Sequence, residues 1–86
     1  MKWWRWMARD NKAAKPRVLL GVIRGLQPNA NGARIQECLE SMGYSWSLGS
    51  IYVIGQRLQD DGLAEVEFRD SRKFWSLTEK GKRETA

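Results

Sequence analysis

The chain has 86 residues, of which 42% are hydrophobic and 29% are charged, and its net charge is +5. This length suffices for one domain with a modest core, and no apolar run approaches the roughly 18 residues that cross a bilayer, so integral membrane insertion is excluded. The start of the chain lacks the apolar stretch of a secretory signal, which predicts a cytoplasmic protein.

The first 15 residues, MKWWRWMARDNKAAK, form a basic, tryptophan-rich arm. Residues 1–17 contain six basic residues and one acidic residue, so this segment accounts for the whole net charge, and attraction to a polyanion depends mainly on it. Its large apolar side chains are Trp3, Trp4, Trp6 and Met7. We expect them either to pack on the domain or across a homodimer, or to contact a nucleic acid or a protein partner. Disorder or weak adsorption to a membrane surface is the remaining alternative.

Two helices are predicted after the arm. The first runs from about Pro16, which suits a first helical turn, to Gly25, and the loop QPNANG follows. The second lies in ARIQECLESMG and ends at Gly43 as a left-handed cap. Its buried face, given the intervals of three, four and seven, is predicted to contain Ile35, Cys38, Leu39 and Met42.

A third helix is predicted to begin after an N-cap at Ser47 and to reach Asp61, with Gly62 ending it. At about 100° per residue, its apolar side consists of Leu48, Ile51, Ile54, Gly55 and Leu58. The opposite side consists of Gly49, Val53, Gln56, Arg57 and Asp60.

From Leu63 the apolar period changes from that of a helix to two, which predicts a strand with Ala64, Val66 and Phe68 on one face. The polar turn RDSR leads to a partner strand, KFWSL, and the two strands form a β-hairpin. Thr78 is placed to cap a short last helix, EKGKRETA, which Gly81 weakens. The predicted organisation is therefore an arm at residues 1–15 and a folded domain at residues 16–86.

The residues that build catalytic or metal sites are scarce. Cys38 is the only cysteine and has no histidine to pair with, which argues against zinc sites and Cys-His catalysis. We interpret it as a small apolar residue on the inner face of its helix. The sequence has no glycine-rich phosphate loop and no Ser-His-Asp set. We therefore predict that the protein is not an enzyme and binds no metal and no other cofactor.

Three helices followed by a hairpin is the order of a winged helix-turn-helix domain, so the predicted fold class is α+β. The stretches VLLGVIRGL, NGARIQECLE, SIYVIGQRLQDDGLAEV and RKFWSLTEKGKR resemble the PadR-like family of winged-helix transcriptional regulators, over roughly residues 16–83. The positions that match the family pattern are Ser50, Ile51 and Tyr52 at the start of the third helix, Leu58, Gly62 and Leu63 at its end, and Trp75, Leu77, Thr78 and Gly81 for the wing's return strand.

Two positions in the third helix depart from the family pattern. Gly55 stands where leucine is preferred, and a glycine within a helix costs about 1 kcal/mol relative to alanine. This predicts either a kink in the helix or the close approach of a neighbour. Val53 stands where proline is frequent. The resemblance implies a dimer formed through further helical chain after the wing, and the given sequence does not continue beyond Ala86. A homodimer through the tryptophan-rich arm is one of the alternatives for that arm.

The resemblance implies a DNA-binding regulator, usually dimeric. We expect it to be of bacterial or phage or plasmid type, the last two because the chain is small. The resemblance further implies that the helix at residues 47–61 reads the major groove of double-stranded DNA and that the wing at residues 69–73 touches the backbone. On this fold the candidate DNA-contacting residues are Lys15, Arg17, Ser47, Ser50, Tyr52, Gln56, Arg57, Arg69, Arg72 and Lys73. Tyr52 either contacts DNA or only packs. The alternative function is a winged-helix module that binds a protein, such as a phage or mobile-element protein acting on host machinery.

Overall fold

The computed structural model describes residues 14–85 of the chain. Within them the elements are α1 (Ala14–Leu26), β1 (Ala30–Asn31), α2 (Gly32–Ser41), α3 (Leu48–Asp60), β2 (Ala64–Arg69), β3 (Arg72–Leu77) and α4 (Glu79–Thr85). The predicted order of three helices, a hairpin and a short last helix is confirmed. The side chains of the arm that were assigned to an interface, Trp3, Trp4, Trp6 and Met7, lie outside the described residues.

The three longer helices pack around a single core that the sheet closes on one side. Each helix contributes apolar side chains spaced three and four residues apart, which places them on one face. The fully buried members are Leu19, Leu20 and Ile23 of α1, Ile35 and Leu39 of α2, and Ile51 and Leu58 of α3. Cys38 is partly buried and packs against this core.

The predicted helix boundaries at Ser47, Gly62 and Gly43 are confirmed. The Ser47 hydroxyl accepts a hydrogen bond from the Ser50 backbone N–H at 3.1 Å, which satisfies one of the unpaired donors at the start of α3. Gly43 and Gly62 have φ values of +90° and +74°. Glycine adopts this left-handed conformation without steric cost, so the chain turns sharply after α2 and α3.

The sheet has three antiparallel strands in the order β1-β3-β2. The predicted hairpin is confirmed as β2 and β3, joined by a two-residue loop in which Asp70 and Ser71 have φ values of 51° and 65°. Two consecutive positive φ values are the signature of a type I′ turn, whose twist matches that of the strands. The third strand, β1, was not predicted: Ala30 pairs with Trp75, and Asn31 pairs with Phe74.

Gly55 lies where the indole of Trp75 packs against α3. A Cβ atom at position 55 would be 2.8 Å from Nε1 and 2.9 Å from Cε2 and Cζ2 of Trp75. Trp75 itself is only 1% exposed. Of the two explanations for a glycine within this helix, the close approach of a neighbour is therefore confirmed, and the neighbour is the return strand of the wing.

The chain entering the wing and the chain leaving it are bonded to each other at the wing's base. The Leu63 carbonyl accepts from the Thr78 N–H at 3.1 Å, and the Thr78 hydroxyl donates to the Gly62 carbonyl at 2.6 Å. The same hydroxyl accepts from the Gly81 N–H at 3.0 Å, which confirms Thr78 as the cap of α4. A Cβ at Gly81 would lie 2.0 Å from the Leu63 oxygen, so only glycine fits there.

The predicted buried faces are wrong at three positions. Met42 is 52% exposed because α2 ends before it, and Leu48 is 41% exposed because it lies in the first turn of α3, beyond the edge of the core. Phe68, predicted on the apolar face of β2, is 70% exposed near the tip of the wing. Conversely, Trp46 in the loop before α3 is only 7% exposed and belongs to the core, which the sequence did not indicate.

Candidate nucleic-acid interface

A groove of about 550 Å³ separates the start of α3 from the wing. The start of α2 also contributes to the lining, which consists of Asn31, Gly32, Ala33, Leu48, Tyr52, Phe68, Ser71, Arg72 and Lys73. Two of these residues are cationic and none is acidic. The groove therefore combines an apolar wall with a positively charged rim, which is the character of a surface that meets a polyanion.

Tyr52 connects the three elements that surround the groove. Its ring stacks on Trp75 with the centroids 5.5 Å apart and the planes at 29°, so α3 is packed against the return strand of the wing. On the other side, a Cβ at Gly32 would be 2.8 Å from the Tyr52 hydroxyl oxygen, so the start of α2 approaches the ring closely. Tyr52 nevertheless remains 43% exposed. It therefore packs on Trp75 and also lines the groove.

Lys73 lies above this aromatic pair. Its Nζ is 5.8 Å from the centroid of Tyr52 and 5.7 Å from that of Trp75, within the range of a cation–π interaction. The rings hold the ammonium at the rim of the groove. Arg72 also lines the groove and is exposed at the start of β3.

The outer side of α3 is a stripe of exposed residues directed away from the core. Gly49, Val53, Gln56 and Asp60 follow one another at intervals of four, three and four, opposite the buried Ile51 and Leu58, and Arg57 flanks them. The amide nitrogen of Gln56 donates to the Asp60 carboxylate at 3.1 Å. This stripe carries hydrogen-bonding, apolar and acidic groups along one helix face.

The serines predicted to contact DNA lie at the start of α3, where they hydrogen-bond each other. The Ser47 hydroxyl donates to the Ser50 Oγ at 3.2 Å, in addition to capping the helix. Ser50 is half-buried, whereas Ser47 is exposed. Neither serine lines the groove, and the Ser47 hydroxyl already serves the helix cap.

Three predicted cations lie apart from the groove. Arg69 donates to the Pro28 carbonyl, forms an ion pair with Glu67 at 3.4 Å, and stacks on Phe74 with its guanidinium carbon 3.9 Å from the ring centroid. It therefore fastens the wing to the loop before β1. Lys15 has its Nζ 5.5 Å from the centroid of Trp46.

Arg17 is the third of these cations. It lines a different groove with Leu20 and Gly21 of α1 and with Glu84 and Thr85 of α4. The structure thus brings Tyr52, Arg72 and Lys73 together at the groove, places Gln56 and Arg57 on the neighbouring stripe, and leaves Lys15, Arg17 and Arg69 elsewhere.

Sequence reasoning missed two residues that this surface exposes. Val53 is 60% exposed in the middle of the stripe, and Phe68 is 70% exposed on the wing side of the groove. Val53 was placed on the outer side of the helix by its period, but it was not considered as a contact. The sequence signal that could have identified Val53 as a contact residue was an apolar side chain on the side of the helix that faces solvent.

Residues 19–86 match the model of the transcriptional regulator PadR-like family. The chain belongs to this family. The predicted resemblance is thereby confirmed, and so is the prediction that the protein is not an enzyme, because the family consists of transcriptional regulators. A search among curated proteins found no significant match.

Two solved PadR-like structures resemble the fold of this PadR-like chain. The first is a PadR-like transcription factor from Bacteroides fragilis, with a TM-score of 0.78 and 21% identity, covering 92% of this chain and 80% of that one. The second is Bacillus subtilis PadR in complex with operator DNA, with a TM-score of 0.64 and 21% identity, covering 84% of this chain and 44% of that one. These likenesses confirm the winged-helix fold.

Two further features are properties of residues 14–85. No helix among them is long and apolar enough to cross a membrane. No three acidic, cysteine or histidine side chains among them converge in a way that would hold a metal ion.

Proposed function

We propose that this PadR-like chain binds double-stranded DNA, with α3 in the major groove and the wing along the sugar-phosphate backbone. The observation that carries the proposal is the groove between α3 and the wing, which Arg72 and Lys73 line and no acidic side chain enters. A backbone phosphate there meets two cations, while the outer stripe of α3 is directed at base edges. Phosphate contacts position a protein on DNA, and base contacts give it sequence preference.

The solved complex of Bacillus subtilis PadR with operator DNA supports the same kind of partner for this chain, since the two share the fold. Within the proposed interface we assign base contact to Gln56 and Tyr52, and phosphate contact to Arg57, Arg72 and Lys73. Ser50 supplements them at the start of α3. Ser47 and Arg69 are assigned a supporting role, because their polar groups are engaged in the helix cap and in anchoring the wing.

Lys15 and Arg17 extend the proposed interface only if the DNA reaches the start of α1.

We further propose a cytoplasmic regulator of bacterial or phage or plasmid type that dimerises through the arm at residues 1–15. The clustering of three tryptophans within the first six residues supports the dimer, because such apolar surface favours burial.

Binding to random and to genomic DNA fragments over a series of salt concentrations tests the proposed function. A sequence-specific regulator prefers a subset of genomic fragments at near-physiological salt, and its affinity falls linearly on a logarithmic salt scale with a slope set by the number of phosphate contacts. If the chain binds no DNA even at low salt, DNA binding is refuted.

The double variant Arg72→Ala with Lys73→Ala tests the groove itself. It is expected to weaken binding to all sequences and to lower the salt slope by about two, one for each lost phosphate contact. The matched control is Lys82→Ala with Arg83→Ala on α4, which removes the same charge from exposed positions outside the groove. Equal losses in the two variants would mean that only net charge matters and that the wing makes no specific contact.

A second candidate function, a module that binds a protein, is favoured by one observation. Leu48, Tyr52 and Phe68 line the groove and are 41 to 70% exposed, and Val53 on the neighbouring stripe of α3 is 60% exposed. Exposed apolar clusters often mark protein-binding surfaces. Absence of DNA binding at low salt, together with loss of a captured partner in a Phe68→Ser variant, would favour this candidate.

A further inference from the structure

The outer stripe of α3 carries an apolar side chain where a DNA-reading helix is usually polar. Val53 is 60% exposed and lies on the side of the helix opposite the buried Ile51 and Leu58. It has no hydrogen-bonding group, so its contact with a base edge can only be apolar. In the major groove the apolar group on a base edge is the C5 methyl of thymine.

Gln56, one helical turn further along, presents a fixed pattern of donor and acceptor. A carboxylate can only accept, so the bond of 3.1 Å from Gln56 to Asp60 determines which end of the amide faces Asp60. The nitrogen keeps its second N–H, and the amide oxygen keeps its acceptor capacity. A donor beside an acceptor matches the N7 and N6 groups of adenine in the major groove.

Val53 and Gln56 are close enough to read the same small region of a duplex. Residues three apart on a helix have Cβ atoms about 5–6 Å apart, and successive base pairs are separated by about 3.4 Å. The two side chains therefore reach one base pair or two neighbouring ones. An A·T pair offers both partners on its major-groove edge, the methyl on thymine and the N7 and N6 groups on adenine.

We propose that Val53 and Gln56 are specificity-determining residues that read A·T pairs, Val53 through a thymine methyl and Gln56 through an adenine edge, with Asp60 orienting the Gln56 amide. This inference rests on the proposed function, because it requires α3 to lie in the major groove. Asp60, at the acidic end of α3, then contributes to recognition indirectly: its carboxylate repels phosphate, but its hydrogen bond holds the Gln56 amide in one orientation.

The test starts with selection of preferred duplexes from a random pool by the full chain. In a selected duplex, each thymine is then replaced in turn by deoxyuridine, which removes the methyl and keeps the base pairing. At one thymine we expect a loss of affinity of about 3- to 5-fold, the value of one buried methyl group. In the Val53→Ala variant, the same replacement is expected to lower the affinity by less than half as many fold.

Gln56 is tested at the neighbouring adenine with 7-deazaadenine, which lacks the N7 acceptor. We expect this replacement to weaken binding by the unmodified protein and to have no effect on binding by Gln56→Ala. At the same position, Gln56→Ala is expected to discriminate A·T from G·C about 5- to 150-fold less than the unmodified protein does. The control is Met42→Ala, another exposed apolar side chain that lies outside the groove and the stripe and is expected to leave every base preference unchanged.

The outcomes separate the inference from the proposed function. If the chain retains no duplex from the pool even at low salt, both are overturned. If it retains duplexes without any sequence preference, the inference is overturned and DNA binding stands. A preferred duplex whose affinity is unaffected by every thymine replacement, or affected equally in the unmodified protein and in Val53→Ala, overturns the inference and leaves DNA binding intact.

Discussion

Replacing Gly55 with alanine tests whether the packing of Trp75 on α3 constrains the fold. The added Cβ would lie 2.8–2.9 Å from three indole atoms, closer than carbon atoms approach without one of them moving. The indole cannot move easily, because Trp75 is buried and its other side is stacked on Tyr52. Overpacking of a core costs about 1–3 kcal/mol.

The substitution also has a favourable term, because alanine in a helix is about 1 kcal/mol more stable than glycine. The overpacking term equals or exceeds this gain, so we expect Gly55→Ala to lower the free energy of unfolding by up to about 2 kcal/mol. Urea unfolding followed by circular dichroism measures it, and an unchanged m-value shows that the unfolded state is the same. The matched control is Gly21→Ala on α1, where a Cβ would have no neighbour within 4 Å.

For the control we expect the free energy of unfolding to rise by up to about 1 kcal/mol. A second variant, Trp75→Phe, removes the three indole atoms that clash. In that background Gly55→Ala is expected to be neutral or stabilising, so the double-mutant cycle has a coupling of at least about 1 kcal/mol. If Gly55→Ala stabilises the unmodified protein as much as Gly21→Ala does, the contact with Trp75 does not constrain α3.

Two further predictions concern the wing and the arm. Replacing Asp70 and Ser71 by Asn and Gly, the pair preferred in type I′ turns, should raise the free energy of unfolding by about 1 kcal/mol, because both positions have positive φ. A lower free energy of unfolding, measured by urea titration, would contradict the turn assignment. Deleting residues 2–12 should convert a dimer into a monomer in sedimentation equilibrium. Substituting Trp3, Trp4 and Trp6 by alanine, which keeps the charge, should do the same, and an unchanged mass in both variants would exclude the arm as the dimer interface.

Much of the fold could be predicted from local sequence signals. Ser47 as an N-cap, Gly43 and Gly62 as helix ends, and the change of period at Leu63 act through neighbouring residues, so the sequence shows them directly. The strand β1 has only two residues, and no alternation can be recognised over two positions. Its partners, Trp75 and Phe74, are more than 40 residues further along the chain, so this pairing appears only in the folded structure.

The candidate site could be predicted less completely, because it depends on which side chains are already engaged. Arg69 and Arg72 are equivalent in the sequence as cations beside a turn. In the fold, Arg69 bonds to the Pro28 carbonyl and packs on Phe74, whereas Arg72 lines the groove. Periodicity placed Gly55 on the core side of α3, but the identity of the group that requires a glycine there could not be read from the helix alone.

The bonds at the base of the wing make the end of α3 and the start of α4 a single mechanical unit. The Thr78 N–H and hydroxyl bond to the Leu63 and Gly62 carbonyls, and Lys80 donates to the Asp61 carbonyl at 3.0 Å. Gly81 leaves no space for sliding between the two segments. A force that tilts α4 therefore acts directly on the C-terminal end of α3. In the proposed complex with DNA, such a tilt would change how deeply α3 sits in the major groove.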